Sequence, residues 1–124
     1  YDKPLRHLLK QLPGRKIIFS NGPRAYALAV LAITGLRPLF DTVYTIEDVG
    51  YQPKPMRPAF LKLLKDARLN PRQCIMVEDS LANLLTAKKL GMRTVWISRG
   101  TRQSPWADVK ISSAQDLPRY VGRL

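Results

Sequence analysis

The sequence predicts an α/β fold, a three-layer Rossmann-like parallel sheet, on two observations. Short apolar runs suited to buried strands alternate with longer stretches of helical periodicity, and the segments between successive strand-like runs are long enough to cross over and return parallel. Gly or Pro punctuates most of the junctions. The first element is a helix, because Leu5, Leu8, Leu9 and Leu12 recur at i, i+3, i+4 and i+7 ahead of Pro13-Gly14. Lys16-Ile17-Ile18-Phe19 then reads as a buried strand. After Ser20-Asn21-Gly22-Pro23, the Ala- and Leu-rich stretch from Arg24 to Thr34 is a helix, with Gly35 placed to cap its C-terminus. Thr42-Val43-Tyr44-Thr45-Ile46 is the next strand, followed by a long polar loop to Pro55. Phe60, Leu63, Leu64 and Ala67 give a further helix its apolar stripe, which Asn70-Pro71 ends. Cys74 to Val77 is the third strand, Ser80 to Leu90 the following helix with Gly91 behind it, and Thr94-Val95-Trp96-Ile97 the fourth strand. Val109-Lys110-Ile111 adds an edge strand, and Leu117, Tyr120, Val121 and Leu124 stand at helical spacing in the tail.

Of the 124 residues 45% are apolar, which allows one small domain over residues 1–124. No apolar run approaches the ~20 residues needed to cross a bilayer, and Tyr1-Asp2-Lys3-Pro4 has neither the basic lead nor the apolar centre of a secretory signal. The expected location is the cytoplasm, with no membrane partner. Cys74 is the lone cysteine, and within Cys74-Ile75-Met76-Val77 it is expected to be a buried structural thiol. Lys and Arg number 21 against 9 Asp and Glu, a formal charge of +12 that attracts phosphate groups or nucleic acid. The cations are spread along the whole chain rather than gathered into a block with interleaved aromatics, so a phosphorylated small molecule is the expected partner and nucleic acid is not.

In a parallel sheet, ligands bind beyond the carboxyl ends of the strands. Ser20 follows the strand ending at Phe19 and Asp79 the strand ending at Val77, which puts both on that functional edge by chain direction. Three polar sites result: Ser20-Asn21-Gly22, Lys54-Pro55 and Glu78-Asp79-Ser80. Singly, each has an ordinary role, with Ser20, Asn21 or Asp79-Ser80 as helix caps and Lys54 as a solvated charge. As an ordered set they suit a phosphoryl group in flight, whose charged oxygens need fixed donors and cations more than proton shuttles.

These residues resemble the haloacid dehalogenase-like hydrolase superfamily, whose members transfer phosphoryl groups through an aspartyl-phosphate. Ile17-Ile18-Phe19-Ser20-Asn21-Gly22 matches its second motif, Gln52-Pro53-Lys54-Pro55 its third, and Ile75-Met76-Val77-Glu78-Asp79-Ser80-Leu81-Ala82-Asn83 its acidic fourth. Phe19-Ser20-Asn21-Gly22 and Val77-Glu78-Asp79-Ser80-Leu81-Ala82-Asn83 look most like the pyrimidine 5'-nucleotidase branch. The resemblance implies Mg²⁺-dependent hydrolysis of a phosphomonoester, a pyrimidine nucleoside monophosphate in that branch. Ser20 and Lys54 would be catalytic. Ser20 Oγ and the Asn21 backbone N–H, in the turn with Gly22, would bind a phosphoryl oxygen, and Lys54 would neutralise charge on the phosphoryl group and the nucleophile. Asp79 would hold Mg²⁺, with Glu78 and Asn83 completing its shell directly or through water.

One departure from the family is large. Asp2, Asp41, Asp48, Asp66, Asp108 and Asp116 are the other aspartates, and none stands as Asp-x-Asp, the motif that supplies the nucleophile. The family's nucleophile lies on an N-terminal strand in the middle of the sheet, and a helical cap follows it. The expectation is the C-terminal core part of such a hydrolase, lacking the N-terminal central strand and the cap domain, inactive alone, with its own missing N-terminal segment as a partner. A sheet without its middle strand exposes two unpaired edges, so either another segment fills the slot or the remaining strands close up. The alternative is a non-catalytic phosphate- or nucleic-acid-binding module. His7 belongs to a surface or packing role on the first helix, and Trp96 and Trp106 to the core and the late loop.

Overall fold

The computed structural model describes residues 3–124, apart from the side chain of Arg123, so Tyr1 and Asp2 lie outside the described residues. The chain divides into two compact units, one reaching Pro53 and the other running from Lys54 to Leu124. Both units are α/β, and every strand pairing is parallel, as the long connections require.

In the first unit α1 (Lys3–Gln11) buries Leu8 and Leu9 and stops short of Pro13. β1 (Ile17–Phe19) pairs with β2 (Thr42–Tyr44), placing Ile18 beside Val43. Phe19 and Tyr44, adjacent in that register, meet edge to face with ring centroids 6.3 Å apart. β1 is half-buried rather than fully buried. β2 ends at Tyr44, two residues before the expected Ile46, because Asp48 Oδ2 takes the Thr45 N–H at 2.7 Å. Between the strands lies α2 (Arg24–Thr34), which closes on Gly35 with φ 73°. The Gly35 N–H donates to Ala32 O and the Leu36 N–H to Leu31 O, a left-handed closure that glycine adopts without a Cβ penalty. Leu9, Leu31, Leu36 and Val43 form the unit's core. The opposite face of α2 is also apolar, with Tyr26, Val30 and Ile33 exposed at 68%, 40% and 77%.

The second unit comprises α3 (Arg57–Asp66), β3 (Ile75–Glu78), α4 (Leu81–Lys89), β4 (Arg93–Ile97) and β5 (Val109–Ile111). Its sheet has the order β3-β4-β5, with β5 at an edge as expected. α3 ends at Asp66 with Ala67 as its C-cap, ahead of Asn70-Pro71, because Arg68 takes φ 54° and the Leu69 N–H closes on Leu64 O at 2.8 Å. Asn70 caps the 3-10 turn Pro71–Gln73 instead, its side chain accepting from the Arg72 N–H. Phe60, Leu84 and Val95 are fully buried, each contributing about 1.5–3 kcal/mol. Trp96 is buried in this core and Trp106 sits in the loop after β4. Cys74 is half-buried rather than buried, its Sγ donating to Asn70 O at 3.3 Å.

The tail forms 3-10 turns over Ala114–Arg119 and Val121–Arg123 in place of one α-helix, since Pro118 has no N–H to give and clashes with a continuing helix. Lys110 Nζ donates to the carbonyls of Gly100 and Arg102, and Thr94 Oγ1 donates to Trp106 O, which ties down the loop after β4. Among the described residues β1 pairs within its unit only with β2, and β3 only with β4, so each has one edge without a strand partner in its own unit. Among the described residues no helix is long and apolar enough to cross a membrane.

Candidate functional site

Each unit carries polar groups at the carboxyl end of its first strand. In the first unit the Ser20 N–H donates to Tyr44 O at 2.9 Å, extending the ladder one residue past β1. Ser20 Oγ then accepts the Gly22 N–H at 3.0 Å, which closes a tight turn. A Cβ on residue 22 would come within 3.3 Å of that hydroxyl oxygen, so the turn is shaped for glycine. Asn21 is exposed at its tip. The N-cap of α2 is Pro23, which has no side-chain cap bond, so neither Ser20 nor Asn21 has the ordinary capping role.

An acid and base network braces this turn from β2. The Arg24 N–H, the first of α2, donates to Glu47 Oε1 and Oε2 at 3.1 and 3.0 Å. The Arg24 guanidinium donates to Val43 O at 2.8 Å and lies 3.6 Å from Asp48 Oδ2, which also accepts the Thr45 hydroxyl at 3.0 Å. None of these four side chains was expected at the site. The signal in the sequence is the acidic pair Glu47-Asp48 directly after a strand.

In the second unit Lys54 Nζ stands 3.1 Å from Glu78 Oε2, the side chains 7% and 15% exposed. Glu78 Oε1 accepts the Asp79 backbone N–H at 3.2 Å. Burial pushes the Glu78 carboxyl up, but hydrogen bonding with Asp79, the Lys54 charge and Asn83 outweigh it and hold the group below the usual carboxylate range. Asp79 moves the opposite way, raised first by its hydrogen bond with Glu78, then by burial and by the negative charge of Glu78. Two adjacent carboxyls do not ionise alike, and here Glu78 is the stronger acid. Asp79 is exposed, and its carbonyl accepts the Trp96 indole N–H at 3.0 Å.

Asn83 is buried one turn into α4, whose N-cap is Ser80, with Ser80 Oγ accepting the Asn83 N–H at 3.3 Å. The cap role open to Asp79-Ser80 therefore falls to Ser80, leaving the Asp79 carboxyl outside it. Thr86 Oγ1 donates to Pro55 O at 2.7 Å and so anchors the segment bearing Lys54. Thr86 and Trp96 were not read as site residues, since their bonds join segments far apart in the sequence. His7 pairs with Gln11 at 3.1 Å on the exposed face of α1, a surface role.

Among the described residues no three His, Cys, Asp or Glu side chains gather as metal ligands. The Asp79 and Glu78 carboxylates with the Asn83 amide form a hard-oxygen set containing two carboxylates. That chemistry fits Mg²⁺, which keeps several waters and takes one or two carboxylates.

Comparison with known proteins gives a consistent kinship. A family model described as haloacid dehalogenase-like hydrolase matches residues 3–91. The validoxylamine A 7'-phosphate phosphatase of Streptomyces hygroscopicus subsp. limoneus is 31% identical over 94 residues, covering 76% of this chain and 44% of that protein. The crystal structure of a HAD phosphatase from Thermococcus onnurineus superposes with a TM-score of 0.82 at 34% identity, covering 97% of this chain and 56% of that one. The HAD-hydrolase YfnB of Bacillus subtilis, a structure bound to magnesium, shares the fold with a TM-score of 0.82 at 22% identity, over 93% of this chain and 53% of that one. The chain spans about half the length of the curated relatives it matches.

Proposed function

This chain belongs to the haloacid dehalogenase-like hydrolase family, and from that membership we propose that it supplies the phosphate-binding and metal-holding parts of a phosphomonoester hydrolase. The observation that carries the reading is the Lys54–Glu78 pair at 3.1 Å, nearly closed to solvent and adjoining the exposed Asp79 at the end of β3. A lysine held in place by a carboxylate presents a fixed positive charge without spending a substrate's binding energy to orient it. Lys54 offsets charge on a phosphoryl group, while Glu78 holds the Lys54 ammonium in place. Ser20 Oγ and the Asn21 N–H donate to a phosphoryl oxygen, and Gly22 lets the turn stay tight. Asp79, with Glu78 and Asn83 directly or through water, is the place for Mg²⁺, which when bound offsets negative charge on phosphoryl oxygens.

No Asp-x-Asp occurs in the 124 residues, so the nucleophilic carboxylate of the aspartyl-phosphate route is proposed to come from outside them. The chain alone is expected to be inert. The substrate class we propose is a nucleoside monophosphate with a pyrimidine base, which rests on the likeness of Phe19–Gly22 and Val77–Asn83 to that nucleotidase branch.

The test is co-expression with a segment bearing Asp-x-Asp after an apolar strand, followed by Mg²⁺-dependent kinetics on pyrimidine and purine monophosphates and a sugar phosphate. Lys54→Ala and Asp79→Asn are expected to lower kcat by on the order of 10²-fold or more. Full activity in either variant would refute the reading, and a preference for the sugar phosphate would refute the substrate class alone.

A further inference from the structure

The amino end of the β3-β4-β5 sheet carries five exposed cations that the proposed phosphoryl chemistry does not use: Lys65, Arg68, Arg72, Lys89 and Arg93. They are scattered over the sequence and gathered by the fold. α3 leads into β3 and α4 joins β3 to the parallel β4, so their final turns return to the end where these strands begin. Lys65 lies in the last turn of α3 and Lys89 closes α4. Arg68 follows α3, Arg72 lies in the 3-10 turn before β3, and Arg93 opens β4. The Arg72 Cγ would stand 3.8 Å from a Cβ on Gly91, and the Arg93 N–H donates to Cys74 O at 3.0 Å, so the approaches to the two strands pack together.

None of the five makes an ion pair among the described residues. Three of the five acids of this unit are paired with other lysines, Asp66 with Lys62, Glu78 with Lys54 and Asp108 with Lys88. From Lys54 to Leu124, fourteen Lys and Arg stand against five Asp and Glu. The helix dipoles account for Lys65 and Lys89, since cations are stabilising at helix C-termini. They account for neither Arg72 nor Arg93.

We propose that this basic pole binds the phosphate backbone of a nucleic-acid duplex without sequence preference. Three of the five are arginines, whose planar fork takes a phosphate bidentately. None of the five has an aromatic neighbour in the sequence to stack a splayed base, which favours duplex over single strand. Among the described residues the exposed large apolar side chains on α3, β3, α4 and β4 are Leu61 and Ile75, too few to supply the second signal that stable membrane anchoring takes. Ile75 to Glu78 spans three steps of about 3.3 Å, so the pole sits roughly 10 Å along the strand from the Lys54–Glu78 pair and does not rest on the phosphatase reading.

Fluorescence anisotropy of a labelled 20-base-pair duplex of arbitrary sequence, titrated with the full chain between about 50 and 200 mM KCl, tests this. Five phosphate contacts at about −0.9 each give a log–log salt slope of about −4.5, and Arg72→Ala/Arg93→Ala is expected to reduce it to about −2.7 with weaker binding. Arg119→Ala is the control, with an unchanged slope. Arg72→Lys/Arg93→Lys keeps the charges and most of the slope, and a thermal melt sets a temperature at which both double variants and Lys54→Ala are folded for the titrations. Lys54→Ala retains duplex binding. A wild-type slope and affinity in Arg72→Ala/Arg93→Ala overturns the proposal, as does loss of binding in Lys54→Ala. Capture by phosphatidylserine vesicles at salt concentrations that release the duplex overturns it in favour of a membrane surface.

Discussion

Thr86 Oγ1 donates a 2.7 Å hydrogen bond to the carbonyl of Pro55, so the second turn of α4 holds the peptide that follows Lys54. The far end of the Lys54 side chain is held by Glu78 on β3. Backbone and ammonium are therefore fixed from two different elements of one unit. Thr86→Val keeps the side-chain shape and removes the donor, and it is expected to lower stability by about 1 kcal/mol in urea unfolding. Thr86→Ser should retain most of that. A Thr86→Val midpoint equal to wild type would mean that the bond contributes nothing.

The Lys54–Glu78 pair is expected to be costly to break from either side. Lys54→Met leaves a largely buried carboxylate without its cation, a change on the order of 3 kcal/mol. Adding Glu78→Leu removes the stranded charge and should recover part of the loss, so a double-mutant cycle will show strong coupling. Additive losses would show that the two side chains act independently.

Acid should weaken the clamp around Asp108. Its Oδ2 accepts the Thr94 N–H at 2.9 Å, and its other oxygen meets Lys88 Nζ. Burial raises this carboxyl, but the Lys88 and Thr94 bonds outweigh it and hold it below the usual range. A folded-state value below the unfolded one means the contribution is complete above the ordinary carboxylate range and is lost as pH falls through the folded value. Asp108→Asn is expected to lose about 1 kcal/mol at neutral pH and to flatten the fall in stability as pH drops below the ordinary carboxylate range. Urea midpoints across that range measure it, and parallel profiles for variant and wild type would contradict it.

The elements whose ends are set by local chemistry were legible in the sequence. α2 runs from Arg24 to Thr34 as read, because Gly35 supplies the left-handed closure. β5 was legible from three alternating residues. Ends set by tertiary or side-chain bonds were not. The Asp48 carboxylate withdraws Thr45 from β2, and nothing in a β-branched threonine announces that. The tail shows helical spacing, yet Pro118 turns it into 3-10 structure, a proline effect the spacing argument underweighted.

At the candidate site the sequence offered residue types and their order, and not their mutual bonding. Lys54 and Glu78 were given separate tasks in the sequence, whereas Lys54 Nζ reaches Glu78 Oε2 across twenty-four residues. Pairing at that range depends on where α3 and β3 come to rest. Likewise the tie of Trp96 to the Asp79 carbonyl follows from β3 and β4 lying in register, with Glu78 beside Trp96.

The outer face of α2 has a consequence for how chains of this protein meet one another. Tyr26, Val30 and Ile33 form an apolar strip that attracts its like, while the charge of +12 holds neighbouring molecules apart. The two act over different ranges. Raising ionic strength from about 0.1 M to 1 M shortens electrostatic reach from about 10 Å to about 3 Å and leaves the apolar attraction in place. High salt, the usual means of stripping polyanions from a basic protein, thus also removes the barrier to colloidal association. The solvent condition that cleans the chain is the one in which it clumps.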